Sequence, residues 1–81
     1  MGFLLSGLGV DTLAGLKEKF GKRLTQVRRD QGLTQEQLAD MTDLTIETIS
    51  NIERGVHSPR FSNLEKIANS LRLQVRELFH F

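Results

Sequence analysis

The chain has 81 residues, with 11 lysines and arginines against 10 aspartates and glutamates, for a net charge of +1. A chain of this length makes one small domain that buries about 60–65 % of its unfolded surface. The balanced charge excludes an evenly spread cationic surface, and the absence of cysteine excludes disulfides and thiolate metal sites, so the core must suffice alone.

Residues 1–10, MGFLLSGLGV, form an apolar, glycine-rich tail set apart from the domain expected over residues 11–81. The tail lacks the basic start and cleavage site of a secretory signal and is too short to span a bilayer. Gly2 with Ser6 matches an N-myristoylation pattern, which requires a eukaryotic host. The expectation for this stretch is a disordered tail, or one packed on another surface such as a dimer partner.

Asp11 is placed to cap the first helix. Leu13, Leu16, Phe20, Leu24 and Val27 then recur at spacings of three and four, one apolar stripe. Gly15 and Gly21 should weaken this helix by about 1 kcal/mol each. Its last half is basic, with six basic and two acidic residues between Lys17 and Asp30. Lys17, Lys19, Lys22, Arg23 and Arg29 fit a solvated face. Gln31-Gly32 ends the helix.

Leu33 to Gly55, LTQEQLADMTDLTIETISNIERG, reads as two short helices folded back on each other. Thr34 is a good N-cap, and Gln37 three residues later completes a capping box. Leu38, Ala39 and Met41 mark an apolar face. Thr42-Asp43-Leu44 interrupts the pattern with turn-prone residues around one apolar plug. Thr45 offers a second N-cap, Ile49 and Ile52 give the inner face, and Gly55 closes the helix in the left-handed conformation. The outer face then holds Ile46, Glu47, Ser50, Asn51 and Arg54. These side chains suit base edges: an asparagine can bond adenine at N6 and N7, and an aliphatic group suits a thymine methyl. A plain surface helix is the competing reading of that face.

After Gly55, the segment Val56-His57-Ser58 is a loop. Pro59 fits a first helical position with Ser58 as cap, while Ser62 with Glu65 forms a competing capping box. Leu64, Ile67, Ala68 and Leu71 supply the buried stripe of the next helix. Leu73 packs the connection, and Val75, Leu78 and Phe79 suggest one last short helix. No catalytic, metal or cofactor constellation emerges. His57 and His80 stand apart without ligand-spaced partners, Thr48 and Ser50 lack a nearby base, and an enzyme is not expected.

LTQEQLAD followed by TIETISNIERG resembles the helix-turn-helix of phage Cro and repressor proteins and their bacterial, XRE-like relatives. The runs GKRLTQVRRDQGLTQEQLA, SPRFSNLEKIANSL and VRELF extend that resemblance from Phe20 to Phe79. It implies an all-α, compact five-helix bundle of the lambda repressor-like kind, with the motif at residues 34–54. It also implies a structural ion pair between Arg28 and Glu53. The Thr45 helix would enter the major groove of duplex DNA, with Ile46, Glu47, Thr48, Ser50 and Asn51 at base edges and Thr48 half buried. Gln35, Thr45, His57, Ser58 and Arg60 would lie along phosphates. Glu47 departs from the pattern, because a carboxylate repels phosphate and helps only by accepting from a cytosine amino group.

The function that follows is a sequence-specific transcription regulator, a repressor or autoregulator, cytoplasmic in a bacterium or encoded by a phage. Controller proteins of restriction–modification systems are similar in size and layout. An antitoxin-type protein, or an interaction module that has lost DNA binding, are the alternatives. A homodimer is expected, through Val75, Leu78, Phe79 and Phe81, with residues 1–10 adding to the contact.

Overall fold

The computed structural model describes the backbone of residues 2–81 and the side chains of residues 15–81. Among the described residues there are four α-helices and a closing 3-10 helix, with no strand. They are α1 (Gly2–Asp30), α2 (Gln35–Thr42), α3 (Ile46–Glu53), α4 (Phe61–Leu71) and the 3-10 segment Val75–Phe79. The expected count of five α-helices is therefore one too high. The last element is only five residues long, and its Glu77 N–H reaches back to Gln74 O, a three-residue step.

Helix α1 begins before Asp11, so that residue is inside the helix rather than at its start. The stretch from Gly2 contains no proline, and its leucines are good helix formers. Any lipid attachment or partner contact of residues 1–10, and the packing of Leu13, lie outside the described side chains.

The core is drawn from all five elements: Phe20, Leu24 and Val27 of α1, Leu38 and Ala39 of α2, Ile49 and Ile52 of α3, Leu64, Ile67, Ala68 and Leu71 of α4, and Leu78. Two residues assigned to apolar stripes are exposed instead. Leu16 is 41 % exposed at the rim of a groove it shares with Phe20 and Phe79, and Met41 is 48 % exposed on the flank of α2. The place expected for Met41 is taken by Thr42, whose hydroxyl donates to Leu38 O at 2.8 Å and so buries without an unpaired polar atom.

All four helices end alike. In each, a residue in left-handed conformation (Gly32, Asp43, Gly55 and Arg72) turns the chain. The next amide then donates back over five residues, as Leu33 to Arg28 O, Leu44 to Ala39 O, Val56 to Asn51 O and Leu73 to Ala68 O, at 2.9–3.1 Å. This is the Schellman arrangement, which satisfies carbonyls that the helix leaves unpaired. Leu33, Leu44 and Leu73 pack from these joints against the core.

The start of α4 matches neither sequence reading. Its N-cap is Arg60, with no side-chain hydrogen bond to the first turn, so Pro59 is outside the helix and Ser62 inside it.

Candidate nucleic-acid interface

The site is built on α3, and α3 is held from behind. Arg28 of α1 grips Glu53 side-on, Nε donating to Oε2 at 2.6 Å and Nη2 to Oε1 at 3.0 Å. Its Nη1 donates to Leu33 O at 2.7 Å. The two side chains are only 8 % and 4 % exposed. Burial raises the pKa of Glu53, but the hydrogen bonds from Arg28 and Gln35 and the charge of Arg28 outweigh it. The carboxyl is held below its ordinary range.

Close backbone approach completes the clamp. A Cβ on Gly21 would stand 2.5 Å from both Ile52 O and Glu53 O, so α1 rests directly on the end of α3. At Gly55, where φ is +76°, a Cβ would come within 3.0 Å of Glu18 Cα. Gly21, read from the sequence as a weak point of α1, is required by this crossing.

Both motif helices begin with side-chain caps. Thr34 accepts from Gln37 N at 3.0 Å while Gln37 Oε1 accepts from Thr34 N at 2.8 Å, the expected capping box. Thr45 accepts from Thr48 N at 3.0 Å, and its hydroxyl also meets that of Thr48 at 2.8 Å. The amides of Gln35 and Glu36, and of Ile46 and Glu47, head the two helices without an intrahelical acceptor. Between the helices, Asp43 at φ 61° and the inward Leu44 make the turn.

Ile46 and Glu47 are exposed on the outer face of α3, Ile46 by 45 %, while Thr48, Ser50 and Asn51 are half buried. Arg54 closes this strip, its Nη2 donating to Asn51 Oδ1 at 2.7 Å. The contact escaped the sequence reading, although the three-residue spacing could have suggested it. His57, Ser58 and Arg60 are all exposed on the segment between α3 and α4.

Two site residues sit differently from expectation. The Gln35 side-chain amide turns inward and donates to Glu53 Oε1 at 2.9 Å, joining the ion pair. Leu78, grouped with the candidate dimer surface, is 0 % exposed and belongs to the core. Val75, Phe79 and Phe81 remain exposed. Phe79 also stacks obliquely on Phe20, with ring centroids 5.0 Å apart, and lies 6.3 Å from Phe81. Among the described residues, no helix is long and apolar enough to cross a membrane.

Residues 24–78 match the helix-turn-helix family HTH_3. The HTH-type transcriptional regulator PuuR of Escherichia coli is 41 % identical over 59 residues, which are 73 % of this chain but only 32 % of PuuR. Control protein C.BamHI of Bacillus amyloliquefaciens is 38 % identical over 63 residues, 76 % of this chain and 78 % of that protein. The crystal structure of the restriction-modification controller protein C.AhdI from Aeromonas hydrophila superposes with a TM-score of 0.76 at 38 % identity, covering 78 % of this chain and 96 % of that one. With this match spanning most of the packed body, the chain belongs to the helix-turn-helix family HTH_3.

Proposed function

We propose that the protein binds duplex DNA sequence-specifically as a cytoplasmic transcription regulator, a repressor or autoregulator, with α3 lying in the major groove. The observation that carries this reading is the outer strip of α3. Its inner side is fully engaged by core and ion pair, while Ile46, Glu47, Ser50 and Asn51 face outward beside two helix starts with free amides. Helix starts of this kind suit phosphate oxygens, and short polar side chains suit base edges. Thr45, His57, Ser58 and Arg60 flank the strip and take the phosphates on either side. Gln35 contributes there through its backbone amide, because its side chain is committed to Glu53. Thr48 reads from the edge of the strip, and Glu47 accepts from a cytosine amino group.

The regulator acts as a homodimer. One domain reads only a few base pairs, and pairing two places half-sites about one helical turn apart. Val75, Phe79 and Phe81 supply the exposed apolar surface for that contact. Restriction–modification control proteins are among the relatives matched over most of their own length, and control of such a gene cluster is the proposed setting.

The test is selection of bound sequences from a random duplex pool, followed by titration across salt concentrations. An enriched two-fold site is expected, with about −0.9 in log–log slope for each phosphate neutralised. Asn51→Ala should cost roughly 1–3 kcal/mol on that site and little on random DNA. Arg60→Ala should weaken both alike. No enriched sequence, together with equal binding to unrelated duplexes, overturns the reading.

A further inference from the structure

The outer strip of α3 contains one hydrogen bond that base reading alone does not require, from Arg54 to Asn51. Three features hold the guanidinium there. Side chains on a helix lean toward its N-terminus, which brings residue 54 over residue 51. Arg54 is the C-cap, so its positive charge sits at the negative end of the helix dipole. Its backbone is also fixed: Arg54 N donates to Ser50 O at 3.0 Å, and the next two amides bond Ile52 O and Asn51 O.

An asparagine amide carries an acceptor at one end and two donors at the other. Its terminal torsion is broad and roughly two-fold, so a free amide exchanges those ends readily. In Asn51 the acceptor end is tied to Arg54 at 2.7 Å, which leaves the donor end facing away. A side chain held in this way meets a base edge with a defined polarity.

We infer that Arg54 is a specificity-determining residue that acts through Asn51, fixing its amide so that the donor end reads an acceptor on the base pair. In the major groove those acceptors are guanine N7 and O6, adenine N7 and thymine O4. The inference rests on the DNA-reading function proposed above and names a determinant of its specificity. Arg54 is a positioning residue here, distinct from a simple phosphate cation, and the two roles separate experimentally.

The experiment compares the wild type with Arg54→Met, which keeps the aliphatic stem and removes the donors, and with Arg54→Lys. Selection with Asn51→Ala first identifies the base pair that Asn51 reads. Competition binding then measures discrimination among the four alternatives at that pair. The wild type should discriminate about tenfold or more. Arg54→Met should fall below about threefold at that pair and keep its preferences elsewhere. Arg54→Lys should recover overall affinity more fully than discrimination. Adding Asn51→Ala to Arg54→Met should cause no further loss at that pair, because the two residues act as one unit. Loss of affinity for every sequence alike, with the preference at the Asn51 pair intact, overturns the proposal. A readout without DNA separates it from the function itself: nitrogen-15 relaxation should show a restricted Asn51 side-chain amide that Arg54→Met frees. Equal mobility in both proteins overturns the positioning role. A restricted amide in a protein that enriches no sequence overturns the DNA reading, and the specificity role with it.

Discussion

The two sides of α3 use their polar groups in opposite ways. Toward the body, Ile49 and Ile52 are buried and Glu53 receives donors from Arg28 and Gln35, so its lone pairs have partners within the fold. On the outer side Ile46 and Glu47 are exposed and Ser50 and Asn51 half buried, and among the described residues the Asn51 side chain bonds only to Arg54 at the end of the same helix. One side specifies where the helix lies. The other contributes little to folding and is free to vary.

The largest disruption should come from the inner side. Glu53→Ala strands the Arg28 guanidinium in a nearly dry site, and unfolding experiments should show a loss of roughly 3–5 kcal/mol. Glu36→Ala, at an exposed position, is the control, and an equal shift for both would refute the importance of the pair. The pair also predicts an acid limb. Because the folded carboxyl has a lowered pKa, its contribution is complete above the ordinary glutamate range and is lost as pH falls through the lower folded value. Melting profiles of Glu53→Gln should lose that part of the pH dependence.

A smaller effect should separate two glycines of α1. Gly21→Ala places a methyl against two carbonyl oxygens of α3 and should cost about 1–3 kcal/mol. Gly15→Ala meets nothing closer than Lys19 Cε at 3.8 Å and should be neutral or stabilise by up to about 1 kcal/mol. Thermal melts that rank them the other way would place the α1–α3 contact elsewhere. The smallest shift belongs to the outer side, where Ile46→Ala should change stability by no more than about 0.5 kcal/mol. The buried Ile49→Ala, made for comparison, should cost about 2–5 kcal/mol.

What the sequence made legible follows the same division. Local chemistry revealed the Thr34–Gln37 box, the cap at Thr45, the inward Ile49 and Ile52, and the left-handed Gly55. Each depends on neighbours within four residues. The Arg28–Glu53 pair spans 25 positions, and only the family resemblance pointed to it. Two misreadings share a cause in tertiary approach. Gly21 looked like a defect because the carbonyls that require it belong to another helix. Gln35 looked free for phosphate because Glu53 is 18 residues away in sequence. Leu78 could not be told from Phe79, since five residues hold too little period to reveal which side chain enters the core. On the outer face, residue types suggested recognition, but the direction of the Asn51 amide depends on where Arg54 lands.

The four matching helix ends bear on how the chain length can change over evolution. Each joint spends one left-handed residue and one inward-bonded amide, and three of them also plant a leucine against the core. An inserted residue at Asp43, for example, would move Leu44 off its seat and turn α3 relative to α2 at once. The stretch from His57 to Arg60, exposed apart from the half-buried Pro59, plants no leucine against the core. Insertions and deletions among viable relatives should therefore collect between α3 and α4, and the register of the other three joints should stay constant.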